Sequence, residues 1–134
     1  MLFGKKHVDR YLATDGEEGH VWRNGSHVLI LTTRGRRSGE ARQTPLIYGV
    51  HGDDLLLVAS KGGAPTPPAW YLNLNADPEV TVQVKDEVRA VRARTATADE
   101  KPELWRIMTG EWPDYDTYQT RTSRDIPVVV LEPR

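Results

Sequence analysis

The hydrophobic pattern starts with the period of a helix and then changes to the period of a strand. Val8, Tyr11 and Leu12 fall at i, i+3 and i+4, which predicts a short helix over residues 4–14 with one apolar stripe. The glycines and acids of residues 15–19 then break the chain. Beyond that break, short apolar or alternating runs predict strands at residues 28–32, 44–50, 55–60, 80–84, 88–97 and 126–131.

Three more helical segments interrupt this series of strands. They are predicted at residues 69–75, from about residue 99, and at residues 114–120. Near the second of them, Thr97 and Glu100 have the spacing of a capping box. We favour Asp99 as the N-cap instead, because it puts Pro102 in the first turn, where a missing N–H matters little.

The strand predicted at residues 88–97 has an irregular alternation. Val88 and Ala90 share one phase, and Arg92 and Arg94 then occupy that same phase. A β-bulge near Ala90 would explain the change, because a bulge inserts one extra residue into a strand.

Together, these elements predict a mainly β domain with α additions. About six antiparallel strands and two to four peripheral helices are expected, without the alternation of strand and helix that builds parallel sheets. We expect a split β-barrel, since curling so small a sheet removes its edges. The 134 residues suffice for one domain, with a helix and break over residues 1–19 and the barrel core over residues 20–134.

Composition and charge exclude several classes of protein. The chain has no cysteine, so disulfides, thiolate zinc sites, iron–sulfur clusters and a cysteine nucleophile are ruled out. Its four histidines lack the spacing of metal ligands, and no metal is expected. With 18 Lys and Arg against 19 Asp and Glu, the net charge of −1 is poor for a general nucleic-acid binder.

The longest apolar runs have only four to five residues, which is too short to span a membrane. No apolar stretch typical of a signal peptide is visible near the N-terminus. We therefore expect a cytoplasmic protein, while contact with a membrane surface stays open.

A cluster of arginines is the first feature with chemical potential. Residues 34–39 have the sequence Arg-Gly-Arg-Arg-Ser-Gly, and Arg42 follows, so that four arginines face the single acid Glu40. Glycines let backbone N–H groups approach an anion, and guanidinium groups match phosphate or carboxylate oxygens. The same pattern also suits a solvated polar hairpin, and the residues alone leave both interpretations open.

Two loops offer weaker signals. Ser60, Lys61 and two glycines follow a predicted strand, an arrangement that suits either a phosphate cradle or a plain loop. Trp70, Tyr71 and Asn73 lie at the start of a predicted helix. Aromatic rings and an amide at this junction suit the wall of a site for a planar heterocycle, although Trp70 also suits the core.

Two tyrosines lie in a helix near the C-terminus. Tyr115 and Tyr118 are three residues apart and therefore share a helix face. Two phenols on one face can line a pocket, bind a substrate oxygen or simply pack, and packing is the more common outcome.

Taken in order, these segments resemble the deazaflavin-dependent nitroreductase family of actinobacteria, which belongs to the split-β-barrel oxidoreductases that use coenzyme F-420. No single motif is specific, but the ordered set is, and the resemblance covers residues 20–134. The matching stretches are residues 31–39, 44–46, 59–64, 70–74, 78–80, 115–119 and 124–130.

The resemblance implies a site for coenzyme F-420, which carries a deazaflavin ring, a phosphate and an oligoglutamate tail. It places the phosphate and the acidic tail on the turn of Arg36, Arg37 and Ser38 and on Lys61. The implied coenzyme-binding residues are Thr32, Arg36, Arg37, Ser38, Thr44, Pro45, Ala59, Ser60, Lys61, Gly62, Gly63, Ala69, Trp70, Tyr71 and Asn73.

On the acceptor side, the resemblance implies Ser60, Tyr115 and Tyr118 as catalytic residues that donate a proton or bind the acceptor oxygen. Water is an equal candidate for the proton donor. The implied substrate pocket comprises Ile47, Tyr48, Trp112, Tyr115 and Tyr118.

Two positions of this implied pocket depart from the family pattern. The family often has a tyrosine in place of Ile47, and in a strand Tyr48 points to the opposite face. Some members have a third tyrosine where this chain has Trp112.

The implied reaction is hydride transfer from the reduced deazaflavin to a quinone, a nitroaromatic compound or an activated enone. The alternatives are an FMN-dependent oxidoreductase on the same fold and a non-catalytic deazaflavin carrier. A barrel that binds single-stranded nucleic acid is disfavoured, because the tyrosines lie in an acidic stretch. The expected partner is a small-molecule electron acceptor, and the chain is expected to be a monomer or a homodimer.

Overall fold

A computed structural model describes residues 2–134. Its strands are β1 (Val28–Arg34), β2 (Ala41–Ile47), β3 (Gly49–His51), β4 (Asp54–Val58), β5 (Glu79–Val84), β6 (Glu87–Thr95) and β7 (Val128–Pro133). Its α-helices are α1 (Gly4–Ala13), α2 (Ala69–Ala76), α3 (Lys101–Glu111) and α4 (Asp114–Thr120). Short 3-10 turns occur at Arg23–Gly25 and Lys61–Gly63.

The seven strands form one antiparallel sheet in the order β2-β1-β5-β6-β7-β4-β3. The sheet curls until β2, at one end, contacts β4 near the other end. This architecture confirms the predicted antiparallel split barrel with peripheral helices. Curling suits a small sheet because few backbone groups then remain on open edges.

The seventh strand arises because the strand predicted at residues 44–50 is interrupted at Tyr48. The Tyr48 backbone N–H leaves the ladder and donates to the His27 carbonyl (3.0 Å). Its side chain turns into the barrel, where it is 8% exposed and its Oη lies 2.8 Å from His20 Nε2. The run is therefore divided into β2 and β3.

The β-bulge predicted near Ala90 is wrong. Strands β5 and β6 pair without interruption from Glu79 with Arg92 to Val84 with Glu87. The outward phase of β6 simply contains apolar residues as well as arginines, and Val88 is 66% exposed. The core contacts come from the other phase of the strand.

The predicted N-cap of α3 is also wrong. The capping box forms instead: Thr97 N–H donates to Glu100 Oε1 (2.8 Å), and Glu100 N–H donates to Thr97 Oγ1 (3.4 Å). The chain already turns at Thr97, whose carbonyl accepts from Lys101 N–H (3.0 Å), so Asp99 remains exposed within that turn.

The apolar side chains form three clusters on the two faces of the sheet. Inside the barrel, Leu29, Leu31 and Leu57 meet Trp70 and Leu74 of α2. A second cluster lies between the opposite face of β4 and β7 and the helices α3 and α4. In the third, α1 covers β1. Burying a leucine side chain is worth about 1.5–3 kcal/mol, so these layers fix the position of each helix on the sheet.

Candidate active site

A groove of about 780 Å³ runs along the edge strand β2, between α1 and α2. The turn between β1 and β2 closes one end of it. Eight residues implied as coenzyme ligands line this groove: Arg36, Arg37, Ser38, Thr44, Pro45, Ala69, Trp70 and Asn73. The structure therefore brings the β1–β2 hairpin and α2, which are distant in sequence, to one site.

Glycine makes the tight arginine turn at the end of the groove possible. Gly35 N–H donates to the Glu40 carbonyl, and Gly39 N–H donates to the Gly35 carbonyl, both at 2.8 Å. A Cβ at Gly35 would lie 2.9 Å from Ser38 Oγ, and Gly39 has a φ of +73°. Because L side chains rarely adopt that conformation, the glycine at residue 39 closes the turn without strain.

The amide of Asn73 holds Arg36 in place. Asn73 Oδ1 accepts from the Arg36 backbone N–H (3.2 Å) and from Arg36 Nη1 (3.0 Å). Its Nδ2 donates to Thr33 Oγ1 (3.4 Å), and the residue is only 5% exposed. Asn73 therefore lines the groove, and its hydrogen bonds orient the arginine turn on α2.

Arg36 and Arg37 have no carboxylate within 4.0 Å among the residues that the structure describes. Their neighbours differ, since Arg34 lies 3.8 Å from Asp77 and Arg42 lies 3.9 Å from Glu40. Two guanidinium groups without counter-charges at one end of a groove fit a ligand with phosphate or carboxylate groups.

The other wall of the groove is apolar. Pro45 of β2 and Ala69 and Trp70 of α2 supply it, and Val8 of α1 adds to it. Trp70 is 8% exposed, so its ring is fixed by the core behind it. A rigid apolar wall beside a cationic end fits a planar ring that carries an acidic side chain.

Several implied coenzyme ligands lie outside the lining of the groove. Tyr71 turns towards β6, where its Oη lies 2.8 Å from Thr95 Oγ1. Thr32 faces the crevices beside Thr81 of β5. The segment of Ala59, Ser60, Lys61, Gly62 and Gly63 follows β4 and packs against α4. The roles of these residues towards the coenzyme stay predictions.

The two tyrosines of α4 pack together, as their spacing indicates. Their ring centroids are 6.1 Å apart. Tyr115 is buried beside Trp105, and this burial raises the pKa of its phenol well above the usual range. Tyr118 Oη accepts from Trp112 Nε1 (3.2 Å). None of the three residues Trp112, Tyr115 and Tyr118 lines the groove.

Ile47 and Tyr48 point to opposite sides of the sheet, as the strand geometry predicts. Ile47 lines a small cavity of about 120 Å³ that shares Pro45 and Gly4 with the groove. Tyr48 faces the barrel interior, and burial raises its pKa to about 12. The substrate-pocket assignment of both residues stays a prediction, and only Ile47 lies next to the groove.

The sequence reasoning missed the contribution of α1. Gly4, Lys5, Val8 and Asp9 all line the groove, opposite the arginine turn. The apolar stripe of this helix was visible in the sequence, but a stripe shows only that one face is covered. The only indication in the sequence that α1 also contacts the groove was the mixture of polar and apolar residues at the edge of this stripe.

Comparison with known proteins shows to which family the chain belongs. The family model described as "F420H(2)-dependent quinone reductase" matches residues 3–133. The chain belongs to this family. The match includes α1, so the family pattern extends further towards the N-terminus than the resemblance over residues 20–134 indicated.

Individual members of the quinone reductase family agree with this assignment. An F420H(2)-dependent quinone reductase of Mycobacterium tuberculosis is 40% identical to the chain, over 92% of this chain and 85% of the relative. A putative one from the same species is 36% identical, over 87% of this chain and 98% of the relative.

Solved structures show the same fold in the family. A structure described as an "F420-H2 Dependent Reductase (FDR-A)" has a TM-score of 0.73 and 39% identity, covering 78% of this chain and 93% of that chain. Another, described as a domain-swapped dimer, has a TM-score of 0.75 and 36% identity over 96% of both chains.

The family resemblance inferred from the sequence is thus confirmed, together with its oxidoreductase class. Within residues 2–134, no helix is long and apolar enough to cross a membrane. The same part of the chain contains no group of three or more side chains placed to hold a metal ion.

Proposed function

We propose that this chain is a reductase that uses reduced coenzyme F-420 to reduce a quinone. The observation that carries the proposal is the groove with uncompensated Arg36 and Arg37 at one end and an apolar wall of Pro45 and Trp70 beside them. The family match gives this arrangement its chemical meaning.

The residues of the groove fit an acidic coenzyme with a planar ring. We assign the phosphate and the glutamate tail to Arg36, Arg37 and Ser38, and the ring to the wall that Pro45 and Trp70 form. When bound in its reduced form, the deazaflavin supplies a hydride. The chain's own task is then to hold the ring and the acceptor at reacting distance and to keep water away from them.

The acceptor side is less defined than the coenzyme side. Ser60, Tyr115 and Tyr118 remain the predicted residues that donate a proton or bind the acceptor oxygen. Among them, Tyr118 has a half-buried phenol, and because its oxygen accepts from Trp112 Nε1, its proton is free to be donated. A nitroaromatic compound or an activated enone is the alternative acceptor.

The observations favour coenzyme F-420 over FMN. FMN carries one phosphate, whereas the groove presents two guanidinium groups without a carboxylate partner in the described part of the chain, which suits several acidic groups on one ligand. A carrier that binds the deazaflavin without reacting remains the second candidate, since the groove contains more binding groups than evident acids or bases.

The assembly and the cellular site of this reaction are also predictions. A family relative is described as a domain-swapped dimer, so we expect a homodimer or a monomer, which size-exclusion chromatography with light scattering distinguishes. We expect a cytoplasmic protein, with contact at a membrane surface where a lipid-soluble quinone is the acceptor.

The test of the proposed function has two stages. First, the protein is titrated into oxidised coenzyme F-420 and separately into FMN, with fluorescence as the readout. Second, it is mixed without oxygen with reduced coenzyme F-420 and a quinone, a nitroaromatic compound or an enone, and the absorbance of the oxidised deazaflavin is followed.

The proposed function predicts tight F-420 binding, weak FMN binding and fastest oxidation with the quinone. Tight binding without oxidation by any acceptor would identify a carrier. Preference for FMN would overturn the coenzyme assignment.

A further inference from the structure

Arg124 binds the segment that follows β4. Its Nε donates to the Ala64 carbonyl (2.8 Å), and its Nη2 donates to the carbonyls of Ser60 (2.8 Å) and Ala59 (3.2 Å). One half-buried guanidinium group therefore connects both ends of the segment of residues 59–64, which we call the Lys61 turn. The sequence singled out this turn as a candidate phosphate cradle.

The backbone of the Lys61 turn needs such support. Lys61, Gly62 and Gly63 all have positive φ, at +47°, +64° and +83°. Lys61 is not a glycine, so its left-handed conformation carries strain that the surroundings must overcome. Arg121 adds one further hydrogen bond, from its Nη1 to the Gly62 carbonyl (3.3 Å).

The turn is also pressed against α4. A Cβ at Gly63 would lie 2.5 Å from the Tyr118 carbonyl oxygen, so only glycine allows this approach. Gln119 of α4 holds Arg124 in turn, since its Nε2 donates to the Arg124 carbonyl (2.8 Å) and its Oε1 accepts from Ile126 N–H (3.0 Å). The position of Arg124 is therefore fixed by the helix that carries Tyr118.

Arg124 has no carboxylate within 4.0 Å in the described part of the chain, unlike Arg94, which binds Glu100 and Glu132. Its Nε and Nη2 both donate to backbone carbonyls. A lysine at this position would keep the charge but could not bind carbonyls of Ala59, Ser60 and Ala64 with one planar group. The geometry of the guanidinium, as well as its charge, therefore matters.

We propose that Arg124 is a positioning residue for coenzyme binding, which holds the Lys61 turn in the conformation that presents the exposed Lys61 side chain to an acidic group of the coenzyme. The inference rests on the proposed function. It assigns to Arg124 no contact with the coenzyme, because its Nε and Nη2 donate to carbonyls of the chain itself.

The experiment compares Arg124→Lys and Arg124→Gln with Lys61→Ala and with the double variant Lys61→Ala/Arg124→Gln. Arg106→Ala, at an exposed position of α3, is the matched control for loss of an arginine. Each protein is titrated with oxidised coenzyme F-420, and its melting temperature and its kcat and KM for reduced coenzyme are measured.

We expect Arg124→Gln and Arg124→Lys each to raise the Kd for the coenzyme about tenfold, because a misplaced turn loses the contact of Lys61 with the acidic ligand, and a charge-assisted hydrogen bond is worth about that much. KM for the coenzyme should rise more than kcat falls. In the Lys61→Ala background, Arg124→Gln should change Kd less than twofold, because Arg124 acts through that turn. Arg106→Ala should leave Kd unchanged.

A purely structural role for Arg124 would give a lower melting temperature with an unchanged Kd, or effects of Lys61→Ala and Arg124→Gln that multiply, and either result would overturn the inference. If Arg124→Gln does not fold, Arg124→Lys decides by the same criteria. Hydrogen exchange of the Gly62 and Gly63 amides without coenzyme gives a second readout, and unchanged exchange in Arg124→Lys contradicts the proposal.

Failure of the proposed function has a different signature. If the wild-type protein does not bind oxidised coenzyme F-420, the coenzyme assignment fails before any variant is compared. If the wild type binds and the folded Arg124 variants bind equally well, only the positioning role fails.

Discussion

The arginines of strand β6 differ from Arg36 and Arg37 of the groove in what neutralises them. On β6, Arg89 Nε lies 2.7 Å from Glu87 Oε1, and Arg94 binds Glu100 at the start of α3 and Glu132 of β7 (3.3 Å). The Arg94 ion pairs link β6 to β7 and to the start of α3. The charge of the sheet surface is therefore largely balanced within the chain.

The groove has the opposite arrangement. Arg36 and Arg37 are adjacent in sequence, so their charges repel, and the residues at 2–134 offer them no carboxylate within 4.0 Å. Asn73, a neutral amide, orients Arg36 without reducing its charge. The same residue type thus serves structure on the sheet and is left available for an anion in the groove.

The difference teaches how a chain with a net charge of −1 can still attract an acidic ligand. Net charge averages over balanced and unbalanced regions, whereas a ligand responds to the local field.

Removing the two uncompensated charges should have the largest effect. The double variant Arg36→Ala/Arg37→Ala should raise the Kd for oxidised coenzyme F-420 about 100-fold, since two charge-assisted hydrogen bonds are lost. Because these side chains have no partner carboxylates, the melting temperature should change little. Fluorescence titration and thermal unfolding measure the two effects.

Arg92→Ala is the matched control, because Arg92 lies on β6 with Glu79 3.7 Å away. Its Kd should stay within about twofold of the wild-type value, as expected for a rim charge far from the site. A similar loss of affinity in both variants would show that the distinction between the two sets of arginines has no functional meaning.

Placing a carboxylate beside Arg36 should balance its charge, as the charges of the β6 arginines are balanced. In Asn73→Asp, the acceptor position beside Arg36 remains, but the arginine charge is balanced. We expect the Kd for the coenzyme to rise about tenfold, because the acidic ligand now competes with an internal ion pair. Asn73→Ala, which frees Arg36 without neutralising it, is the comparison variant, and a smaller loss in Asn73→Asp would contradict the role of charge.

Salt should weaken coenzyme binding, and the arginines of the groove should account for this effect. Raising the ionic strength screens exposed charges, so the wild-type Kd should increase several-fold between low and high salt. The slope should be shallower in Arg36→Ala/Arg37→Ala and unchanged in Arg92→Ala. Equal slopes in all three proteins would indicate that the groove arginines do not contact the acidic groups.

The smallest effect is expected from Arg94→Ala, and it should appear in stability. Side-chain hydrogen bonding to Arg94, aided by the Thr97 backbone N–H, lowers the pKa of Glu100. The Glu100 carboxylate therefore stabilises the fold above its unfolded pKa of about 4.3, and this contribution disappears as the pH falls through the lower folded value.

In Arg94→Ala, we expect a loss of about 1 kcal/mol or less at neutral pH, as for partly exposed ion pairs. The stability difference from wild type should shrink as the pH falls below about 4. Urea unfolding at several pH values measures this, with coenzyme Kd as the control. A constant difference at all pH values would exclude the Glu100 contribution.

The sequence predicted the barrel and the arginine turn because both depend on local patterns. Alternation located the strands, and glycines on both sides of the arginines indicated a tight turn. The β-bulge prediction for β6 failed because Val88 is exposed, and an exposed valine has the same hydropathy as a buried one. Tyr48 divided a predicted strand through a contact with His20, which is distant in sequence.

Side-chain partners within the site were the part that sequence could not provide. An asparagine near an aromatic residue suggests a ligand contact, and only the fold shows that Asn73 binds Arg36 and Thr33. The position of the Lys61 turn is likewise set by packing against α4. Arg124 lies in a stretch that resembles the family, but the sequence does not predict its role, because carbonyl partners leave no motif.

The central claim is that Arg36 and Arg37 are kept without counter-charges in order to bind the acidic coenzyme. Parallel fluorescence titration of oxidised coenzyme F-420 with the wild-type protein and with Arg36→Ala/Arg37→Ala, at one low ionic strength, tests it most directly. We predict saturable wild-type binding that weakens about 100-fold in the variant. Equal affinity of the two folded proteins would contradict the claim.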